Sequence, residues 1–475
     1  MTNADLLAIL PIAAIGVLSV ALMILIAFGM KSRFVMLFAL ASLAVSFAGI
    51  FLAKSYAPRT VGAFLRIDAF SLYFIGLVTI GAFLVVLLSY RYLEMRASRT
   101  SEFYLLVLFA VLGMQTVASS IHLISFFLGV EVLSLSLYGL IGYTLGDKHS
   151  LEGAIKYFVL AAASSAFLLF GIALVYAENG TMNLEKLFML PANGSISIIT
   201  LFGIALIIVV FGFKLALAPF HTWSPDVYQG SPAPVTALIA SGSKGAVLAF
   251  FLRMMMTGNL AHNKTVFLTI AIISAATMTV GNLLALFQRN VKRLLAYSSI
   301  AHLGYLLIPL LADGLFGASS IAFYLAGYFV TIIAAFGVIT ILSTPRTEGD
   351  MDDSREYKGL ALRHPLLAAI FALCLVSLTG IPPTVGFLAK FYIFSAAIHS
   401  GLWVLVIIGI INSGISAFYY LRLVVTMYGS PVGDEQSALQ KDLFPYIALG
   451  ICTLLILFLG VYPTPLIRLV ESILH

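Results

Sequence analysis

Apolar residues run along this chain in stretches of about 20, separated by short polar or glycine- and proline-bearing breaks. At 1.5 Å per residue such a stretch crosses a hydrocarbon core of roughly 30 Å as a helix. The pattern predicts fourteen spans, near residues 4–29, 34–53, 68–90, 103–118, 121–145, 155–177, 197–222, 232–257, 264–287, 294–312, 318–342, 363–398, 401–427 and 443–469. The divisions least marked are the pair of serines at Ser119–Ser120 and the interior of the long twelfth stretch. The first run has no positive residue before it and is too long for a signal-peptide core, so it is expected to remain as a helix.

Composition agrees with this pattern. Of 475 residues, 61% are hydrophobic and 10% charged, against roughly 25% charged in a water-soluble protein. The fold class that follows is an all-α polytopic membrane protein with the lipid bilayer as its solvent. A formal net charge of +6 reads as membrane topology rather than nucleic-acid binding, because the basic residues cluster between the apolar runs. Sixteen Lys and Arg follow odd-numbered spans, among them Arg96, Lys148, Lys292, Arg346 and Lys441; seven follow even-numbered ones, and three of the 26 lie inside spans. By the positive-inside rule both termini face away from the cytoplasm. The loop Ser343–Arg363, with its mixed charges, is expected to be a solvated connector. Two cysteines, Cys374 and Cys452, exclude a disulfide framework and cannot hold an iron–sulfur cluster or zinc alone. A glycine-rich dinucleotide fingerprint is lacking, so redox chemistry would belong to partner subunits.

Against this apolar background four charges stand out: Glu131, Lys214, Lys244 and Lys390. Each costs about 2.5–3.5 kcal/mol at mid-membrane even on the lenient insertion scale. Lysines near helix ends escape by snorkelling, but Lys244 lies about twelve residues, or roughly 18 Å, from either end of its span. A buried pair that only fixes packing is the structural alternative to a functional role. Prolines 219, 225, 232 and 234 follow Lys214, and Pro382 and Pro383 precede Lys390. Proline frees backbone carbonyls, and broken helices at membrane depth occur where they line a hydrated cavity. Two interrupted spans five apart suggest an internal repeat of five helices, and an odd number inverts consecutive copies.

Desolvation favours the neutral form of an amine and a nearby carboxylate favours the charged form. For a separation of ~7 Å and an effective dielectric of ~20 the coupling is about 2.4 kcal/mol. Moving Glu131 relative to Lys214 would therefore switch the amine between holding and releasing a proton. Lysine suits this role, since arginine stays charged. His302, beside Ser298, Ser299 and Tyr305, reads either as a relay between Lys244 and Lys390 or as a satisfied packing residue. Tyr143, Lys156 and Asp226 are candidates for an entrance on the cytoplasmic side.

The run KLALAPFHTWSPDVYQGSPAPVTALIASGSK, residues 214–244, together with RLLAYSSIAHLGYLL and GIPPTVGFLAKFYIF, resembles the antiporter-like membrane subunits of complex I. Within that family it resembles the bacterial N type, equivalent to mitochondrially encoded subunit 2, over essentially the whole chain. DVYQGSPAPV and the lysine at position 390 carry that choice, since the M type has glutamate there. The resemblance implies two inverted five-helix repeats, helices 4–8 and 9–13, with helices 7 and 12 broken. It implies an organisation of 1–100 (three helices), 101–260 (first repeat), 261–430 (second repeat) and 431–475 (a last helix). It further implies a proton relay through Glu131, Lys214, Lys244, His302 and Lys390, and no departure occurs at these positions. The expected setting is a bacterial plasma (inner) membrane, among other membrane-arm subunits. NADH, FMN, iron–sulfur clusters and quinone are expected in those partners and no cofactor in this chain. A subunit of a cation/proton antiporter is the alternative, against which the DVYQG run argues; a passive scaffold between pumping neighbours is a third.

Overall fold

The structure, a computed structural model, describes residues 2–97, 99–144, 146–187, 197–258, 260–312, 314–344, 349–430 and 442–473. Arg346 and Lys441, counted above on the basic face, lie outside the described residues.

Among the described residues thirteen helices are long and apolar enough to cross a membrane. They are α1 (Leu10–Ala27), α2 (Ser32–Lys54), α3 (Ala69–Arg96), α4 (Ser101–Ser119), α5 (Leu123–Ile141), α6 (Lys148–Asn179), α7a (Ile198–Leu215), α8 (Ala233–Thr257), α9 (Lys264–Leu286), α10 (Val291–Leu311), α11 (Leu315–Ser343), α13 (Trp403–Tyr428) and α14 (Leu443–Val461). The long twelfth stretch is two shorter apolar helices, α12a (Pro365–Thr379) and α12b (Val385–His399), and a short helix, α7b (Trp223–Gly230), follows α7a. The predicted first span, 4–29, is divided into a short helix, Asn3–Ala8, and α1. The all-α polytopic reading holds, with one small antiparallel hairpin added to it among the described residues, β1 (Arg59–Val61) with β2 (Leu65–Ile67), pairing Arg59 with Ile67.

Helix ends follow local chemistry. Asp147, Ser197, Asn263, Asn290 and Asp442 each cap the first turn of the helix they precede, accepting backbone N–H groups that would otherwise be orphaned. Asp68 does the same for α3 by accepting from the Ser71 amide at 2.8 Å, and both its oxygens accept from Arg253 at the far end of α8, each at 2.8 Å. Burial alone would raise the Asp68 carboxyl, but the Arg253 guanidinium holds it below the ordinary carboxylate value.

α8, α10 and α11 form the interior and are buried along nearly their whole length, whereas α1, α6 and α14 present much of their surface outward. Val17, Ile272, Phe418 and Val425 are among the apolar side chains on that outer face. A soluble protein would not expose such a belt; lipid covers it. The first two helices of each predicted repeat meet in the same way. A Cβ on Gly113 of α4 would stand 2.6 Å from the Leu133 nitrogen of α5, and one on Gly281 of α9 would stand 2.7 Å from the Ala301 nitrogen of α10. Small residues let membrane helices approach backbone to backbone.

The segment from Gly349 to Tyr357 differs from its expectation as a solvated connector. Asp350 is buried and pairs with Arg96 at the end of α3 (2.8 Å) and with Lys292 at the start of α10 (2.7 Å), while the Tyr92 hydroxyl donates to it at 2.8 Å. Burial would push this carboxyl up, but the Lys292 ammonium and the Arg96 guanidinium outweigh it and hold it below its ordinary value of 3.8. A carboxyl held low adds stability at neutral pH and loses it only as pH falls below that value. Replacing Asp350 with alanine leaves two buried cations uncompensated. A loss of about 3–5 kcal/mol is expected, seen as a lowered thermal midpoint in detergent at pH 7; an unchanged midpoint would show the ion cluster to be energetically idle.

Candidate functional site

Lys214 stands in the last turn of α7a, where the helix breaks at Ala216, a non-glycine residue held at φ 56°. That left-handed backbone is unfavourable for a residue with a Cβ, and surrounding contacts must hold it. The break frees carbonyls, and the Trp223 indole donates to the Phe213 carbonyl at 2.9 Å. The Ala218 amide finds the Thr277 hydroxyl at 3.0 Å. Lys214 itself donates to the Ser134 hydroxyl of α5 at 2.7 Å and lies 5.7 Å from the centre of the Tyr157 ring. Glu131 is three residues before Ser134 on the same helix and accepts from the Ser165 hydroxyl of α6. The amine and the carboxylate therefore share one helix face, each on a serine rather than on the other.

Lys244 sits directly after a π-helical turn in α8, Ile239–Ser243. Such turns widen a helix locally and recur at functional positions. The amine is fully buried, 1% exposed, and donates to the Ser299 hydroxyl of α10 at 2.7 Å. Tyr328 of α11 donates to the same oxygen at 2.8 Å, and the Tyr228 hydroxyl of α7b lies 3.3 Å away. Ser299 is thus a hub for one ammonium and two phenols.

His302, one turn along α10, bonds through Nδ1 to the Tyr324 hydroxyl and through Nε2 to the Tyr420 hydroxyl at 3.3 Å. Tyr420 also bonds to Ser298. The imidazole packs on Tyr328, with 5.3 Å between ring centres, so the histidine touches the phenol that bonds Ser299.

Lys390 of α12b lies at the second break. Its ammonium donates to the Thr379 carbonyl at 2.8 Å, the last residue of α12a, and to Ser413 of α13 at 3.0 Å. A cation on an unpaired helix C-terminal carbonyl is favourable twice over, by hydrogen bond and by helix dipole. Gly380, at φ 89°, turns the chain there; a Cβ on it would stand 2.9 Å from the Lys390 Cδ. The ammonium also lies 5.2 Å from the centre of the Tyr305 ring, and Asn282 donates to the Tyr305 hydroxyl at 3.2 Å.

Of the five predicted residues Lys214, Lys244, His302 and Lys390 are buried and Glu131 is half-buried, and they fall into two groups. Lys244, His302 and Lys390 gather around α10, whose Ser298, Ser299, His302 and Tyr305 face the same interior. Lys214 and Glu131 form a separate cluster, and no hydrogen bond among the described residues joins it to Lys244. Of the entrance candidates, Tyr143 donates to the Arg99 carbonyl at 2.8 Å. Asp226 is clamped by Lys156 and Arg293, both at 2.7 Å. Sequence reasoning missed Ser134, Ser165, Tyr228, Tyr328, Tyr420 and Ser413. The available signal was a hydroxyl in an apolar span, but most such hydroxyls only bond their own helix carbonyls.

A family model described as NADH:quinone oxidoreductase/Mrp antiporter, TM, matches residues 120–416. A chain of respiratory complex I from Thermus thermophilus with bound aureothin is 34% identical to this one. The match covers 96% of this chain and 98% of that one, with a TM-score of 0.83. A chain of the membrane-bound sulfane sulfur reductase, an archaeal respiratory membrane complex, is 26% identical, covers 99% and 96%, and has a TM-score of 0.83. A chain of the Mrp complex from a Dietzia species shares the fold, with a TM-score of 0.87 at 20% identity over 100% and 97% of the two chains.

Ser299→Ala removes the acceptor of the Lys244 ammonium and of the Tyr328 phenol together. An unmade buried bond costs about 1–3 kcal/mol, more for a charged group, so the thermal midpoint in detergent should fall and Ser299→Thr should restore most of it. A midpoint equal to wild type in the alanine variant would mean Lys244 does not depend on that hydroxyl.

Proposed function

This chain belongs to the NADH:quinone oxidoreductase/Mrp antiporter transmembrane family, and from that premise we propose that it is a proton-translocating membrane-arm subunit of an NADH:quinone oxidoreductase. The observation that carries this reading is the set of three buried ammonium groups held on hydroxyls and one carbonyl, with no ion pair among the described residues. Amines so placed are costly, and lysine in an apolar slab is suited to gaining and losing a proton. Identity of 34% along nearly the whole length of a complex I chain favours the redox-driven machine.

In this reading the Lys214–Ser134 and Glu131–Ser165 contacts are the open arrangement of a pair that closes when charge shifts in a neighbouring subunit. Closing holds a proton on Lys214; opening releases it through water toward Lys244. From Ser299 the proton route continues past Tyr328 and His302 to Lys390 and then outward. The N-type identity rests on the DVYQGSPAPV run and on lysine at 390. Flavin, iron–sulfur clusters and the quinone site would lie in partner subunits, and the membrane would be a bacterial plasma membrane with both termini outside. Sodium-dependent pH changes driven by this chain without redox partners would instead favour an antiporter subunit.

Lys214→Ala and Lys244→Ala, each in an assembled complex reconstituted into vesicles, should lower the protons moved per NADH oxidised severalfold. Acidification followed with a pH-sensitive dye, against NADH absorbance, provides the ratio. A wild-type ratio in both variants would reject the relay.

A further inference from the structure

A cavity of about 800 Å³ lies where the ends of α3 and α7b, the starts of α6 and α10 and the segment 349–352 come together. Its lining includes Arg96, Asp147, His149, Lys292, Asp350 and Asp352. Exposed Lys148 and His149 open it to the surface, on the face that carries most of the Lys and Arg. At ~30 Å³ per water it has room for on the order of 25 molecules. At its floor Lys292 bridges Asp350 (2.7 Å) and the Ser231 carbonyl (2.6 Å), and the Ser231 hydroxyl bonds Thr236 at 2.7 Å. Lys292 and Ser299 are seven residues apart on α10, about 10 Å. Ser299 is the hydroxyl that holds Lys244, and Tyr228, from the half-helix that ends at the cavity, reaches it from the other side.

Two carboxyl sites on this face differ in what they can do with a proton. Asp226 has both oxygens committed to cations, and although burial pushes its carboxyl up, Lys156 and Arg293 hold it below the ordinary value; it stays ionised. Asp352 accepts from the Asn290 amide and has its carboxyl raised, chiefly by burial, against the pull of Lys292. A carboxyl of that kind takes up a proton at a higher pH than an ordinary carboxyl does.

Building on the function proposed above, we infer that this cavity is the proton-uptake vestibule of the chain, with Asp352 receiving protons from its water and the Lys292–Asp350 pair passing them toward Ser299 and Lys244. The entrance is therefore this vestibule rather than Tyr143, Lys156 and Asp226. Net transfer moves one proton inward with no change in covalent structure: Asp352 gains a proton from water, Lys292 hands one on toward Ser299 and takes the one from Asp352 in its place, so that Asp352 ends as carboxylate and Lys292 as ammonium.

His149→Cys in the assembled, reconstituted complex, treated with a membrane-impermeant cationic thiol reagent, tests this. Both native cysteines of the chain are buried, and the complex with the unaltered chain, treated alike, corrects for partner cysteines. Labelling is expected to lower the protons moved per NADH severalfold relative to the same variant unlabelled. Complete labelling with an unchanged ratio would overturn the proposal, and so would failure to label, since that would show a cavity closed to water. Asp352→Asn, which keeps the shape of the side chain, should lower the ratio without any reagent; a wild-type ratio there would also overturn it. If Lys244→Ala impairs pumping while both vestibule tests leave it intact, the port lies elsewhere and the function stands. If the Lys214 and Lys244 variants also pump normally, the function itself fails.

Discussion

The whole arrangement depends on keeping ammonium groups inside an apolar slab without a permanent counter-ion. A carboxylate in contact would make each of these lysines cheaper to bury and would hold its proton more tightly. The chain solves this with neutral acceptors: serine hydroxyls for Lys214 and Lys244, and a hydroxyl with a helix-end carbonyl for Lys390. Hydrogen bonds to a charged group are worth more than neutral ones. They fall short of a full ion pair, which leaves the proton affinity open to nearby charge.

The two broken helices show how the same device is put to different ends. In α12 the freed Thr379 carbonyl goes to Lys390. In α7 the freed Phe213 carbonyl goes to the Trp223 indole, and the lysine one residue on is left to find Ser134 on another helix. Lys390 is thus tied to the backbone of the break itself, whereas Lys214 is tied to a side chain one helical turn from Glu131. Only the second arrangement lets a modest movement of α5 change which group the amine faces. In the route proposed above, this difference between the two breaks is what suits Lys214 to switching and Lys390 to the end of the path.

Much of this was legible in the chain itself. Span count, the breaks at the proline clusters and the four misplaced charges follow from hydropathy and from the cost of charge in lipid. The partners of those charges were not legible, because they come from helices distant in sequence: Ser134 reaches Lys214 across 80 residues, Ser299 reaches Lys244 across 55, and Tyr420 reaches His302 across 118. A hydroxyl in an apolar run has no sequence mark to tell one that holds a buried ammonium from one bonded only to its own helix. Ser134 in fact does both, donating to the Val130 carbonyl at 2.6 Å while it accepts from Lys214. The hairpin at Arg59–Ile67 was missed because three-residue strands leave no alternation to read. Asp350 was misread for the opposite reason, since charge density suggested solvent where two cations from distant helices had made a buried site for it.

α10 ties these parts together. It begins after Asn290, whose side chain caps the helix and also bonds Asp352; two residues on, Lys292 stands at the floor of the cavity. Ser298 and Ser299 follow, then His302, then Tyr305 beneath Lys390. Lys292, Ser299, His302 and Tyr305, at spacings of seven, three and three residues, thus lie along one side of a single helix from the surface to the second break. Such a stripe must be held in fixed register, because a shift of a single residue rotates it by about 100° out of the seam. The close approach of Gly281 on α9 to Ala301 on α10, three residues after Ser298 and four before Tyr305, supplies that constraint beside the stripe. The helix that carries this stripe is thus also held backbone to backbone by α9, and the route proposed above requires α10 to stay in register while the contacts of α5 around Glu131 change.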